Sequence, residues 1–248
     1  VIDPKNVPLR NGNPKLQTLF FAGTDTDVGK TFTAALVASA LLARRLHQPT
    51  AGGTGHRIGV YKPVASGCRR QGDEWIADDA RTLWQAAGCP GTEQQVCPQK
   101  FAAPLAPPQA ARQEGRSVDP VLLREGARCW EASSDVLIVE GAGGLMSPLA
   151  EGILNIDLAK QFDQAKLIIV AANRLGAIHQ TLATCIAAEH AGLIATGIIL
   201  CQVSPNADAA LASNASEIVK YTTVPVIATL PYQATIEDAH FADQLLLA

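Results

Sequence analysis

The residues best suited to chemistry are concentrated in the stretch Gly23-Thr24-Asp25-Thr26-Asp27-Val28-Gly29-Lys30-Thr31. Glycines let successive backbone N–H groups turn onto one anion. A lysine at position 30 can reach the outer phosphates of a nucleotide, and the Thr31 hydroxyl can ligate Mg²⁺. Residues 16–22 form a short apolar run that reads as a buried strand, and the alanine-rich residues 32–43 read as a helix. Strand, glycine loop, Gly-Lys-Thr and helix in that order put the anion at a helix N-terminus. A helix cap with an incidental lysine would not require this agreement between context and residue types. Five residues separate Gly23 from Gly29, one more than in the usual loop, which narrows the choice of family.

Three further positions carry chemistry. Residues 58–61 read as a strand ended by Pro63, which leaves Lys62 on the ligand side of a parallel sheet. Alone, Lys62 is a strand-end charge whose removal would cost the fold little. Ser66 and Gly67 continue a loop suited to hydrogen-bonding a small substrate. Asp78 and Asp79 precede a helical pattern at 80–87 closed by Gly88; either aspartate could cap that helix or serve as a carboxylate for Mg²⁺, and spacing alone favours the cap. The strand at 136–139 ends in Glu140, followed by Gly141-Ala142-Gly143-Gly144. A phosphate-loop NTPase places its metal-side acid there, and glycines admit a close backbone approach.

The elements that must hold these residues alternate along the chain. Further strands are expected at 167–172, 196–201 and 224–230, and helices at 118–131, 177–191, 206–221 and 239–247. Residues 44–56 read as a glycine-rich surface loop, and 101–113, with Pro104, Pro107 and Pro108, as a constrained connection. His179 and His190 read as structural or exposed. The alternation implies an α/β fold of the P-loop NTPase kind, a mostly parallel sheet with helices on both faces. Residues 1–15 read as a mobile N-terminal leader and 16–248 as a single domain.

Composition sets the limits. A 48% hydrophobic content supplies a large core, and the net charge of −3 gives no reason to expect nucleic acid or membrane as partners. The longest apolar stretch, 32–43, is too short to span a bilayer. Six cysteines without CxxC spacing argue against a metal or disulfide framework and fit a reducing cytosol.

Taken together, residues 23–31, 61–67 and 139–144, with 173–176, resemble the dethiobiotin synthetase family from about Leu16 to the C-terminus. The most specific pieces are Gly-Thr-Asp-Thr-Asp-Val-Gly-Lys-Thr and Tyr-Lys-Pro-Val-Ala-Ser-Gly. The resemblance implies a cytoplasmic, ATP- and Mg²⁺-dependent ligase that turns 7,8-diaminopelargonate and CO₂ into dethiobiotin, ADP and phosphate, through a carbamate and its mixed anhydride with phosphate. It implies Lys30 and Lys62 as catalytic residues and Thr31, Asp79 and Glu140 as Mg²⁺ ligands. Nucleotide contacts carry over onto Asp27, Val28, Gly29, Lys30, Thr31, Phe32, Asp79, Glu140, Gly141, Ala142 and Gly143. On the adenine side they carry over onto Gln202, Pro231, Tyr232 and Gln233. There Gln202-Val203 stands where members often have Asn-Asp, and residues 231–233 match only in position. Ser66, Lys62, Ala177 and Ile178 carry over as substrate contacts. The last two would come from the partner of a homodimer whose substrate lies at the interface.

Competing readings explain less. A partner-regulated ATPase of the chromosome-partitioning or cell-division type carries an additional lysine near the front of the loop, whereas Lys30 is the only lysine between Ala22 and Thr31. A cobyrinate-type amidotransferase needs a glutaminase domain that this chain is too short to hold. A non-catalytic nucleotide-binding module leaves Lys62 and Ser66 unexplained.

Overall fold

The computed structural model describes residues 16–47, 56–206 and 209–247. The expected leader at 1–15 and most of the glycine-rich loop, 48–55, lie outside the described residues. Six strands, β1 (Gln17–Gly23), β2 (Ile58–Tyr61), β3 (Val136–Gly144), β4 (Lys166–Ala172), β5 (Ala195–Cys201) and β6 (Val226–Leu230), form the central sheet. Their order is β6-β5-β4-β1-β3-β2, and every neighbouring pair runs parallel.

The strands are near-continuous apolar runs because both faces of the sheet are covered. Leu19, Phe20, Phe21 and Ala22 point alternately to opposite faces, yet none is more than 1% exposed. Each of the three large side chains, Leu19, Phe20 and Phe21, contributes on the order of 1.5–3 kcal/mol when taken from water. Parallel neighbours need long crossovers, and helices supply several of them. Helix α1 (Lys30–His47) packs on β1, on α2 (Asp78–Ala86) and on the C-terminal 3-10 segment Ile236–Asp243. Further along come α3 (Pro107–Gln113), α4 (Asn155–Lys160) and α5 (Ala177–His190). The chain leaves β1, travels out to β2, returns to β3 beside β1, and then crosses to β4 on the other flank. That reversal opens a crevice at the C-terminal ends of β1 and its neighbours.

Several expectations are corrected. The connection at 101–113 contains α3, because Pro107 and Pro108 occupy the first helical turn, where no intrahelical N–H is needed. The helix expected at 118–131 is a short helix, Pro120–Glu125, that tightens into a 3-10 segment, Gly126–Trp130. Among the described residues, the one expected at 206–221 is a 3-10 turn, Ala209–Ala212, and a short helix, Asn214–Ile218. The C-terminal helix is mostly 3-10, with Gln244–Leu247 as its α-helical end. That end is tied to the starts of two strands: Gln17 Nε2 donates to the Leu246 carbonyl at 3.1 Å, and Lys166 Nζ to that of Leu245 at 2.9 Å. The presumed surface loop from residue 44 begins as helix, since α1 runs on to His47. No helix among the described residues is long and apolar enough to cross a membrane. All six cysteines are free.

Candidate active site

The loop between β1 and α1 is held at both ends. Thr24 N donates to the Val170 carbonyl on β4 at 2.9 Å, and Leu145 N, beyond β3, donates to that of Gly23 at 2.9 Å. Gly29 has φ +89°, and a Cβ there would sit 2.6 Å from Cys201 Sγ, so only glycine fits. Asp27 also takes a positive φ, +54°. Val28 is fully buried and anchors the loop to the core. A cavity of about 870 Å³ opens over the loop, and Asp27, Gly29, Lys30, Thr31 and Phe32 line it.

From the next strands come the charges. Lys62 Nζ donates to Glu140 Oε1 at 2.8 Å and lies 3.2 Å from Asp79 Oδ2. The Thr31 hydroxyl donates to the same Glu140 oxygen at 2.7 Å. Glu140 is 1% exposed, and its other oxygen, Oε2, meets no hydrogen-bond partner among the described residues. Burial lowers the Lys30 pKa, with Glu140 acting against it. Burial also opposes the Lys62 charge, but Glu140 and Asp79 outweigh it and raise that pKa above the lysine range. The Lys62 ammonium in turn holds Asp79 below the usual carboxylate range.

Three sequence expectations change here. Neither Asp78 nor Asp79 caps α2: the cap position is Ala77, with no side-chain bond. Both aspartates lie in the first turn, where the helix dipole favours them. Asp78 faces outward to Arg69 at 2.9 Å, and Asp79 turns in to Lys62. Lys62, in turn, is not a solvated strand-end charge but 3% exposed and ion-paired. Glu140 also lies within β3, which pairs onward until Gly144 meets Gly23.

The other nominated residues divide clearly. Ser66, Ala142, Gly143, Gln202, Tyr232 and Gln233 line the same cavity. Gly141 is buried behind it, and Pro231 is exposed outside its lining. Ala177 is fully buried and Ile178 half-buried at the start of α5, and neither lines the cavity of its own chain. The Gln202 amide turns to the Ser204 carbonyl at 2.9 Å. Two features escaped the sequence reading. Residues 104–107 form a cavity wall beside Ser66 and Lys62, and Asn155 bonds the main chain of the glycine segment that follows Glu140. The prolines around 104–108 were the visible trace of the wall; Asn155 left none.

Hard oxygen donors converge here: a hydroxyl and two carboxylates, one with a buried oxygen that lacks a partner. Mg²⁺ is a cation that such a set can hold, with phosphate oxygens and water completing its shell.

Residues 17–240 match a family described as an AAA domain. The ATP-dependent dethiobiotin synthetase of Rhodopirellula baltica is 42% identical over 221 residues, covering 85% of this chain and 82% of its own. The corresponding enzyme of Anaeromyxobacter dehalogenans is 37% identical, covering 89% and 92%. That of Yersinia pestis is 33% identical, covering 88% and 86%.

The chain belongs to the ATP-dependent dethiobiotin synthetase family.

A dethiobiotin synthetase is an ATP-dependent ligase, and the loop between β1 and α1 is the phosphate-binding element of its fold. Solved structures of FtsY resemble this dethiobiotin synthetase chain in fold alone. The signal recognition particle receptor FtsY of Elizabethkingia anophelis has a TM-score of 0.51 at 15% identity, over 97% of this chain and 65% of its own. The cell division protein FtsY of Thermotoga maritima has a TM-score of 0.53 at 14% identity, over 97% and 72%.

Proposed function

We propose that the enzyme carboxylates 7,8-diaminopelargonate with CO₂ and closes the ureido ring of dethiobiotin, converting ATP to ADP and phosphate. The observation that carries this reading is the convergence on one cavity of Lys30 and Thr31 from the start of α1, Lys62 from the end of β2, Asp79 from the first turn of α2 and Glu140 from within β3.

One amine of the substrate takes up CO₂ and loses a proton, giving a carbamate. A carbamate oxygen attacks the γ-phosphorus as the bond to ADP breaks, forming a carbamic–phosphoric anhydride. The second amine then attacks the carbonyl carbon, the C–O bond to phosphate breaks, and the amine loses its proton as the ring closes. Phosphoryl transfer needs alignment and charge neutralisation more than covalent help. Lys30 holds the outer phosphates. Lys62 faces the carbamate and the transferring phosphoryl group, and its pairing with Glu140 and Asp79 favours its charged form. Ser66 hydrogen-bonds the substrate.

Thr31, Asp79 and Glu140 hold Mg²⁺, which when bound neutralises charge on the phosphate oxygens. The partnerless Glu140 Oε2 supports this assignment. Substrate lies at the interface of a homodimer, where residues 173–178 of the second copy receive its carboxylate at a helix start. The absence of Ala177 and Ile178 from their own chain's cavity is consistent with that arrangement. Six free cysteines fit a reducing cytoplasm. The same relatives disfavour a partner-regulated ATPase.

ADP release measured with ATP and Mg²⁺, with and without the diamine and bicarbonate, tests the reading. Turnover should depend on both, with dethiobiotin seen by mass spectrometry. Turnover that ignores the diamine, or that DNA or lipid vesicles stimulate instead, would sink it.

A further inference from the structure

Asn155 begins α4 behind the glycine segment 141–144, and its amide is used entirely on that segment. Nδ2 donates to the carbonyls of Ala142 and Gly144, the latter at 2.7 Å, while Oδ1 accepts from Ala142 N at 3.2 Å. The side chain is 1% exposed and is not part of the cavity lining. The two carbonyl oxygens it binds therefore face the protein interior, away from the cavity.

Gly141 makes room for this contact, since a Cβ there would lie 2.3 Å from Asn155 Oδ1. On its other side the segment presses on the phosphate loop. A Cβ on Gly144 would lie 3.3 Å from the Thr24 carbonyl oxygen, and one on Gly143 would lie 3.7 Å from Thr26 Oγ1. A thin layer of main chain thus lies between one buried amide and the loop, continuous with Glu140.

We propose that Asn155 is a positioning residue for phosphoryl transfer: it retracts the carbonyls of Ala142 and Gly144 and so keeps Glu140 and the phosphate loop in register. The Gly144 carbonyl also accepts from Ser147 N at 2.9 Å, so without Asn155 it is the Ala142 carbonyl that loses its donor. A buried carbonyl is costly to leave unpaired. Ala142 lines the cavity, and its carbonyl turned that way would set a partial negative charge against the triphosphate. The inference rests on the reading that this cavity takes ATP.

Its test compares the wild-type chain with Asn155→Ala and Asn155→Ser, the latter retaining one hydroxyl donor. Each protein is first shown by circular dichroism to be folded at the assay temperature. Asn155→Ala should lose at least about tenfold in kcat while the KM for the diamine stays within about threefold, and ADP should bind more weakly by calorimetry. Asn155→Ser should fall between, and it decides the matter if the alanine variant does not fold. A lower melting temperature with kcat within about twofold of wild type, in the folded variant, would assign Asn155 a purely structural role and overturn the proposal. Failure of the wild type to make product would count against the ATP-site reading instead.

Discussion

Lys62 Nζ lies 2.8 Å from Glu140 Oε1, and strand register accounts for it: Tyr61 pairs with Val139, so the next residue of each strand emerges beside the other. A buried ammonium and a buried carboxylate then become obligatory partners. Removing Lys62 leaves the Glu140 carboxylate buried with the Thr31 hydroxyl but no contacting cation, at a cost of up to about 3–5 kcal/mol. Lys62→Ala should therefore melt well below the wild type, contrary to what a strand-end lysine suggests from sequence. It should also lose ring closure by a factor on the order of 10²–10³ or more. Melting curves and single-turnover product formation check both; a near-normal rate would remove Lys62 from the mechanism.

Thr31→Val preserves shape but deletes the 2.7 Å bond to Glu140. Hydrogen bonds to charged groups contribute about 1.5–3 kcal/mol. The Mg²⁺ concentration for half-maximal rate should rise by about tenfold or more, with the fold retained. An unaltered Mg²⁺ titration would exclude the hydroxyl as a ligand.

Gly29→Ala combines two penalties, a left-handed backbone at φ +89° and a Cβ 2.6 Å from Cys201 Sγ. The first costs about 1–2 kcal/mol for any L-residue. ADP binding should fall sharply in the single variant. Pairing it with Cys201→Ala should recover part of the loss by removing Sγ, and leave the backbone part together with the tight 3.0 Å approach to the Cβ at position 201. Calorimetric titration of both variants separates the two, and full recovery in the double variant would mean that the backbone penalty is negligible.

Acid should weaken a clamp at the far end of the sheet. Asp135 accepts from Arg57 N at 2.7 Å and from its guanidinium at 2.9 and 3.3 Å, joining the starts of β2 and β3. Burial would raise the Asp135 pKa, but these bonds and the Arg57 charge outweigh it and hold it below the usual value. A carboxyl depressed in the folded state stabilises above its unfolded pKa, about 3.9, and that stabilisation is lost as pH falls through the folded value. The stability difference between wild type and Asp135→Asn should stay level above about pH 5 and shrink toward pH 3. Urea unfolding across that range gives the answer; a gap that widens in acid would reverse the assigned sign.

Much of the site was legible because its chemistry is written in side-chain types at fixed offsets. Lys30 and Thr31 follow from the loop, and Glu140 from a strand that ends in an acid and glycines. Choosing between Asp78 and Asp79 was harder. Helix phase decides it, and that phase was fixed by Ala77 taking the cap, a residue with no capping group to announce it. Pro107 and Pro108 read as breakers because a proline's meaning depends on whether it precedes or interrupts a helix. Asn155 was illegible for a different reason. It bonds carbonyls and an N–H, groups that every residue has, so no partner side chain marks the contact.

The central strand carries a consequence for biosynthesis. β1 emerges from the ribosome early, yet Gln17 first meets a neighbour at Val136, and Leu19 is flanked on its other side only once Lys166 exists. Until then Leu19, Phe20 and Phe21 have no sheet to join, and such non-local pairings form slowly. Nascent chains that stop short of residue 136 hold the complete phosphate loop in sequence but neither of the strands that flank β1, so nucleotide has no formed site through which to help the first half of this enzyme to fold.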